Sequence, residues 1–504
     1  MSAGWPAAPV IYEVNTAVWL TELSRRDGRA VTLADVDGAD WDAVCPDGTD
    51  AVWLMGVWER SPAGLALARA DADLMASFRD ALPDLRDDDV VGSPYCVHRY
   101  VTDAAFGGPA GLAAARRELD ARGRRLVLDY VPNHVAPDHP WVSKHPERFI
   151  RGTDSDLAED PAAWLRTDGA VLAHGRDPYF PPWPDVVQLD AFAAQTRAAT
   201  AETLADIAAQ CDGIRCDMAM LMTNDVFAKT WGGRAGPAPV EEFWPEVIGA
   251  LHAQHPDTVL IAEAYWDMEW TLQQQGFDFC YDKRLYDRLL ALPAEPVAAV
   301  RDHLRAGLDY QARLVRFLEN HDEPRVASRV GRGPERAAAV AVATLPGATL
   351  WHEGQFEGRV VRPPVFLRRR PDEQPDATLA AWYQRLVSAV AEHQMRTGDW
   401  QLLDVSGWPD NDSCRSLVAW TWSGTGGAGP SVVVVNLSSQ PAQGRVRIPW
   451  PELAGPVVRL HDPLAGADLD RDATELADPG LYVALDAWQF HVLVAPAPAR
   501  DQQA

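Results

Sequence analysis

Eight short apolar runs, separated by stretches with helical periodicity, constrain this chain more than any other feature of its sequence. They lie at 10–14, 51–55, 126–130, 213–217, 259–263, 277–281, 314–320 and 348–353. Each is too short for a helix, and several are apolar on both sides, as strands covered on both faces of a parallel sheet must be. Between them, Leu112, Ala115 and Leu119 share one helical face that stops at Gly123, and Leu204, Ile207 and Ala208 share another. Eight strands alternating with helices predict an α/β fold, a (β/α)8 TIM barrel spanning residues 1–396.

Two stretches depart from plain alternation. Residues 61–92 form a long excursion after the second run, and 132–189 a longer one after the third, rich in Pro, His, Asp and Trp. A structureless loop of that length inside a barrel is improbable, so 132–189 is expected to form an inserted subdomain over one end. Beyond 397 the texture changes to β-rich runs at 415–422, 431–437, 444–448, 457–460 and 488–495, separated by Gly, Pro and Asp. This predicts a C-terminal all-β sandwich domain over 397–498.

Acidic residues at the ends of the runs carry the chemistry. Asp129, Asp217, Glu263 and Asp322 close, or closely follow, four of them. In a barrel the carboxyl ends of the strands meet at one mouth. A single acid there reads as a cap or an ion pair, but four converging carboxylates imply a reaction, because buried unpaired charge is costly. Glycoside hydrolysis needs such a set: one carboxylate attacks the anomeric carbon while another protonates the leaving oxygen and then activates water. Arg215, two residues before Asp217 on the same strand face, can hold that carboxylate ionised. Glu263, among like charges, is then suited to keep its proton.

With these residues in order, the sequence resembles the α-amylase family of glycoside hydrolases over nearly its whole length. The family's first motif resembles 129–134, ending in Asn133-His134. The second resembles Gly213-Ile214-Arg215-Cys216-Asp217, the third is the strand ending at Glu263, and the fourth is Asn320-His321-Asp322. Residues 187–190 are similar to the family's additional motif at the end of its inserted subdomain, and 354–358 to its segment after the eighth strand. The resemblance implies Asp217 as nucleophile, Glu263 as acid/base and Asp322 as third carboxylate, with retention through a covalent glycosyl-enzyme. It also implies substrate contacts from His134 and His321 to sugar hydroxyls, Arg215 orienting Asp217, and Tyr95 as an aromatic platform. Asp129 is expected to brace Arg215.

Departures from the family pattern bear on what the enzyme does. The run after the nucleophile is Met218-Ala219-Met220-Leu221, where many α-amylases carry Ala-Ala-Lys-His, whose last residues serve the acceptor side and a calcium site. Asn133 keeps one calcium-type ligand, and Asp154, Asp156 and Asp185 are oxygen donors that could join it. The metal ligands are therefore left unassigned, and no obligatory cofactor is expected. Cys96 follows Tyr95, where exo-acting relatives carry an Asp. The cluster Tyr179, Phe180 and Trp183 reads first as a small core bracing a Pro-rich loop, and second as a sugar-stacking wall. Arg362, Arg368, Arg369 and Arg370 read as a solvated or ion-paired face.

The expected substrate is thus an α-glucan or oligosaccharide. Glucan transfer or trehalose-forming isomerisation is the alternative reaction on the same scaffold, and a non-catalytic carbohydrate-binding relative the remote one. A net charge of −26 argues against nucleic acid as a partner. No apolar run is long enough for a membrane span, and nothing near residue 1 reads as a signal peptide. Six scattered cysteines suggest reduced thiols, so a cytoplasmic location is expected. Oligomeric state is left open.

Overall fold

The eight runs become the parallel strands of a closed barrel in the computed structural model, which describes residues 4–292, 296–450 and 456–497. In chain order the strands are β1 (Val10–Asn15), β2 (Ala51–Met55), β3 (Arg125–Tyr130), β4 (Gly213–Cys216), β5 (Val259–Ala262), β6 (Phe279–Tyr281), β7 (Leu314–Arg316) and β8 (Ala348–His352). Each pairs with its sequence neighbour, and β1 closes the ring on β8. Every residue of β2, β4 and β5 is buried, which accounts for their unbroken apolar runs. The strands stop a little short of the apolar runs: Asp217 and Glu263 stand just past β4 and β5, at the barrel mouth.

The excursion after β2 folds into two helices, Pro62–Ala70 and Ala72–Ala81. Phe78, Leu82 and Val90 pack there against Leu367 from the segment after β8. Within 132–189, five short strands form one sheet around a core of its own, built from Val135, Phe149, Leu172 and Val187. Its Gln188 pairs in register with His134, which ties this sheet to the mouth of the barrel.

After the helix Ala377–Glu392 the chain forms a six-stranded and a three-stranded sheet. Leu417, Val432 and Val434 of one share a core with Val446, Val483 and Leu485 of the other, as in a sandwich. Alternate residues Val418, Trp420 and Trp422 turn to the barrel, and the Trp422 indole donates to the carbonyl of Thr344. Residue 498, the end assigned to this region from sequence, lies outside the described residues. No helix among the described residues is long and apolar enough to cross a membrane.

Candidate active site

Arg215 organises the mouth of the barrel. It is buried on β4 and extends one guanidinium nitrogen to Asp217 Oδ1 at 2.8 Å and the other to Glu263 Oε2 at 2.7 Å. Asp129 lies 3.5 Å from the same group and is itself held by the Trp53 indole and the Gly56 N–H, each at 3.1 Å. Gly56 has a left-handed backbone (φ 78°), and a Cβ there would stand 2.7 Å from Pro94, so no other residue fits without displacement. The rings of Trp53, Tyr95 and Tyr281 pack around the guanidinium. Arg215 is thus charged and contacted on every side, its pKa raised because the surrounding anions outweigh its burial.

The carboxylates respond differently to this setting. Burial, only partly offset by Arg215 and reinforced by the charges on Asp217 and Asp322, pushes Glu263 up to about 7. Burial also raises Asp217, against the pull of Arg215. Asp322 sits at the rim with its side chain 43% exposed. Partial desolvation against the cleft wall works against its charge, but the His321 imidazole beside it holds it down at about 2. The third carboxylate therefore stays ionised while Glu263 is poised to exchange a proton near neutrality.

Two donors to Glu263 were not legible beforehand. The backbone N–H of Met218, a residue in left-handed conformation (φ 39°), reaches Oε2 at 2.7 Å, and the Tyr265 hydroxyl donates to Oε1 at 2.9 Å. Tyr265 could have been noticed, because it lies two residues past Glu263. The Met218 contact depends on a backbone angle that residue type does not announce.

Around these groups lies a cleft of about 410 Å3, lined by Ser93, Tyr95, Cys96, His134, Trp183, Asp185, Asp217, Met218, Glu263, Tyr265, Asp322 and Phe366. The predicted site residues are brought together here. Tyr95 stacks on the His321 ring at 5.2 Å and its hydroxyl meets Nε2 at 2.7 Å. His134 is buried at the wall, edge-on to Trp183, and burial lowers it to about 4, so its imidazole is neutral at physiological pH. His321 has both ring nitrogens engaged by protein groups. Cys96 is packed away, donating its thiol to the carbonyl of Asp185, and Cys216 is fully buried.

Of the aromatic cluster in the inserted segment, only Trp183 packs against a small core, formed by Cys96, Ala136 and Val186. Tyr179 and Phe180 are 58% and 66% exposed, while Trp183 turns into the cleft. Asp177 Oδ1 accepts from both their backbone N–H groups and sets the loop outward. Tyr179 meets Trp266 edge-on at 4.9 Å, just beyond Glu263. Within the arginine run, Arg369 pairs with Asp84 and Asp89 and Arg370 with Glu22 and Glu353, whereas Arg362 donates to the Asp322 carbonyl at the rim.

Three of the residues considered for calcium, Asn133, Asp154 and Asp156, are engaged by nitrogen donors, while Asp185 lines the cleft. Gln188 donates its amide to Asn133 Oδ1 and to the Asn133 carbonyl, both at 2.9 Å, and the Asn133 amide returns a bond to Gln188 Oε1. A cation at Asn133 would face N–H groups rather than oxygens. Asp154 and Asp156 are instead paired with Arg166 and Arg234. Among the described residues no cluster of three or more His, Cys, Asp or Glu could hold a metal.

No family model matches the sequence. The chain is similar to the α-amylase MalA of Haloarcula japonica, 25% identical over 448 residues, covering 87% of this chain and 56% of that protein. It is also similar to the α-1,4-glucan:maltose-1-phosphate maltosyltransferase of Burkholderia pseudomallei, 28% identical over 212 residues, 38% of this chain and 15% of the relative. The chain thus spans little more than half the length of the first relative and far less of the second. Among solved structures, the maltogenic α-amylase AmyB of Thermotoga neapolitana superposes with a TM-score of 0.68 at 18% identity, covering 97% of this chain and 99% of that one. The α-amylase of Geobacillus thermoleovorans, solved with acarbose, gives 0.66 at 16% identity, covering 97% and 98%. The barrel with its C-terminal β domain is shared with these structures. The motif resemblance to the α-amylase family extends to an α-amylase relative along most of the chain.

Proposed function

We propose that this chain is a retaining α-glycoside hydrolase acting on α-glucosidic bonds of maltooligosaccharides or of glycogen- and starch-type glucans. The observation that carries the proposal is the grip of one guanidinium, Arg215, on two buried carboxylates, Asp217 and Glu263, the second of them raised to about 7. Groups held by a single fork stand close together, as attack by one carboxylate and proton donation by the other require in retention. In this reading Asp217 attacks the anomeric carbon as Glu263 gives its proton to the leaving oxygen. Glu263 then takes a proton from the water that releases the sugar. Asp322, anionic at the rim, accepts hydroxyl hydrogens of the same sugar, with Tyr95 and neutral His134 lining its site.

A second reading, transfer to a sugar acceptor, draws on Tyr179 and Trp266, exposed rings that meet edge-on, Trp266 lying three residues past Glu263 in the chain. The similarity to a maltosyltransferase bears on the same point. A non-catalytic role is disfavoured by the intact carboxylate set. All six cysteines are free thiols among the described residues, which supports a reducing, cytoplasmic setting.

The test is a product profile on maltose, maltotriose, maltopentaose and glycogen, with and without added acceptor sugar. Shorter products at an acceptor-independent rate are the expected result. Longer chains, trehalose or other rearranged sugars would move the assignment to transfer.

A further inference from the structure

Glu13 lies on β1, outside every motif that pointed to the site, and is 0% exposed. Its Oε1 stands 2.5 Å from His321 Nδ1, while its Oε2 has no hydrogen-bond partner. As a prop for the fold this is a poor arrangement: a buried carboxylate with one partner costs more solvation than an apolar side chain of the same size. Its placement makes sense through His321.

The far nitrogen of that imidazole, Nε2, lies 2.8 Å from Asp322 Oδ2 and 2.7 Å from the Tyr95 hydroxyl. An ionised carboxylate only accepts hydrogen bonds. Nε2 is shared between Asp322 Oδ2, which only accepts, and the Tyr95 hydroxyl, which can donate or accept. A ring with hydrogen on both nitrogens is the form that offers one to each carboxylate. We infer that Glu13 is a positioning residue that keeps His321 in this cationic, doubly hydrogen-bonded form, so that His321 can hold Asp322 ionised and in place for the substrate. This rests on the proposed role of Asp322 in binding sugar.

The surroundings agree in sign. Burial opposes the charge on His321, but Asp322 and Glu13 outweigh it and raise its pKa. Asp129 on β3 adds to the attraction, whereas the neighbouring His352 on β8 is pushed down to about 3 and stays neutral. Arg215 on β4, whose guanidinium lies over the Trp53 and Tyr95 rings that flank His321, stays charged but is ion-paired with its own carboxylates. Glu13 is the only carboxylate on Nδ1 among the described residues.

The test labels the 13 histidines with 15N, assigns His321 by the signal missing in His321→Asn, and follows it from about pH 5 to 9, a range that spans the ordinary imidazole titration. In the wild type both ring nitrogens are expected to read as protonated throughout. In Glu13→Gln, of equal size, His321 should titrate within the range, and kcat/KM on maltopentaose should fall roughly 10- to 100-fold. The fall should deepen as pH rises, with little change in Tm. Glu13→Asp should recover part of the activity. A neutral His321 in the wild type at pH 7 overturns the inference without any variant, as does Glu13→Gln with wild-type kinetics and an unchanged His321 signal. If the wild type does not cleave α-glucans, the hydrolase reading fails, and the 15N titration still decides the charge on His321.

Discussion

Gln188 and Asn133 bind one another through reciprocal amide hydrogen bonds, buried where the inserted sheet joins the barrel. Gln188 also bonds the Asn133 and Leu189 carbonyls, so its amide cross-links backbone on both sides of the junction. A neutral pair does here what a cation between oxygens would otherwise do. Chelation is therefore expected to leave both Tm and kcat/KM unchanged, as measured by melting curves and initial rates with and without EDTA. A fall in either would mean that calcium is held by some arrangement other than this one. Gln188→Leu strands buried amide and carbonyl groups and should cost about 1–3 kcal/mol for each group left unpaired, seen in urea unfolding.

Replacing the two expected reacting groups should give different signatures. Asp217→Asn keeps size and hydrogen bonding but removes the attacking charge, and turnover should vanish on every substrate while Tm holds. Glu263→Gln should lose on the order of 10^2- to 10^4-fold on oligosaccharides. With a leaving group that needs no proton, such as fluoride, the loss should be much smaller. Equal losses on both kinds of substrate would sink the acid/base assignment.

Much of the fold was legible because buried parallel strands leave continuous apolar runs, and all eight barrel strands announced themselves that way. Strands that escaped notice are of another kind. Ala467–Asp472 reads ADLDRD, a mostly polar edge strand on which no apolar pattern is imposed. Leu481–Leu485 buries only alternate residues, too short a signal to separate from a loop. At the site, the motif residues were found because chemistry restricts their type. Glu13 and the Met218 N–H were not, since nothing in a strand-borne Glu or a backbone amide distinguishes it until the barrel closes, whereas Tyr265, two residues past Glu263, stood within reach of the motif.

The acceptor-side aromatics predict a length-dependent effect. Trp266→Ala removes the ring against Tyr179, and loss of one stacking contact should raise KM for maltopentaose by roughly 2- to 10-fold. A glucoside with a small leaving group, which does not reach so far, should be unaffected. The ratio of transfer to hydrolysis at high acceptor concentration should fall in the same variant if these rings hold an acceptor. An unchanged KM for long and short substrates alike would leave Tyr179 and Trp266 as loop packing.

The pH profile follows from Glu263. Its pKa, raised to about 7, means that the protonated acid needed for the first step is present below that value and lost above it. The alkaline limb of kcat/KM should therefore lie near pH 7, well above the ordinary range of a glutamic acid. Tyr265 offers a way to move it. Its hydroxyl donates to Glu263 Oε1 and stabilises the charged form, so Tyr265→Phe should favour the protonated acid and shift the limb upward, by up to about one pH unit for a single neutral donor. The acidic limb, set by the remaining carboxylates, should stay nearly where it was. An alkaline limb that moves downward in Tyr265→Phe would mean that the hydroxyl accepts the Glu263 proton, making Tyr265 a relay for that proton.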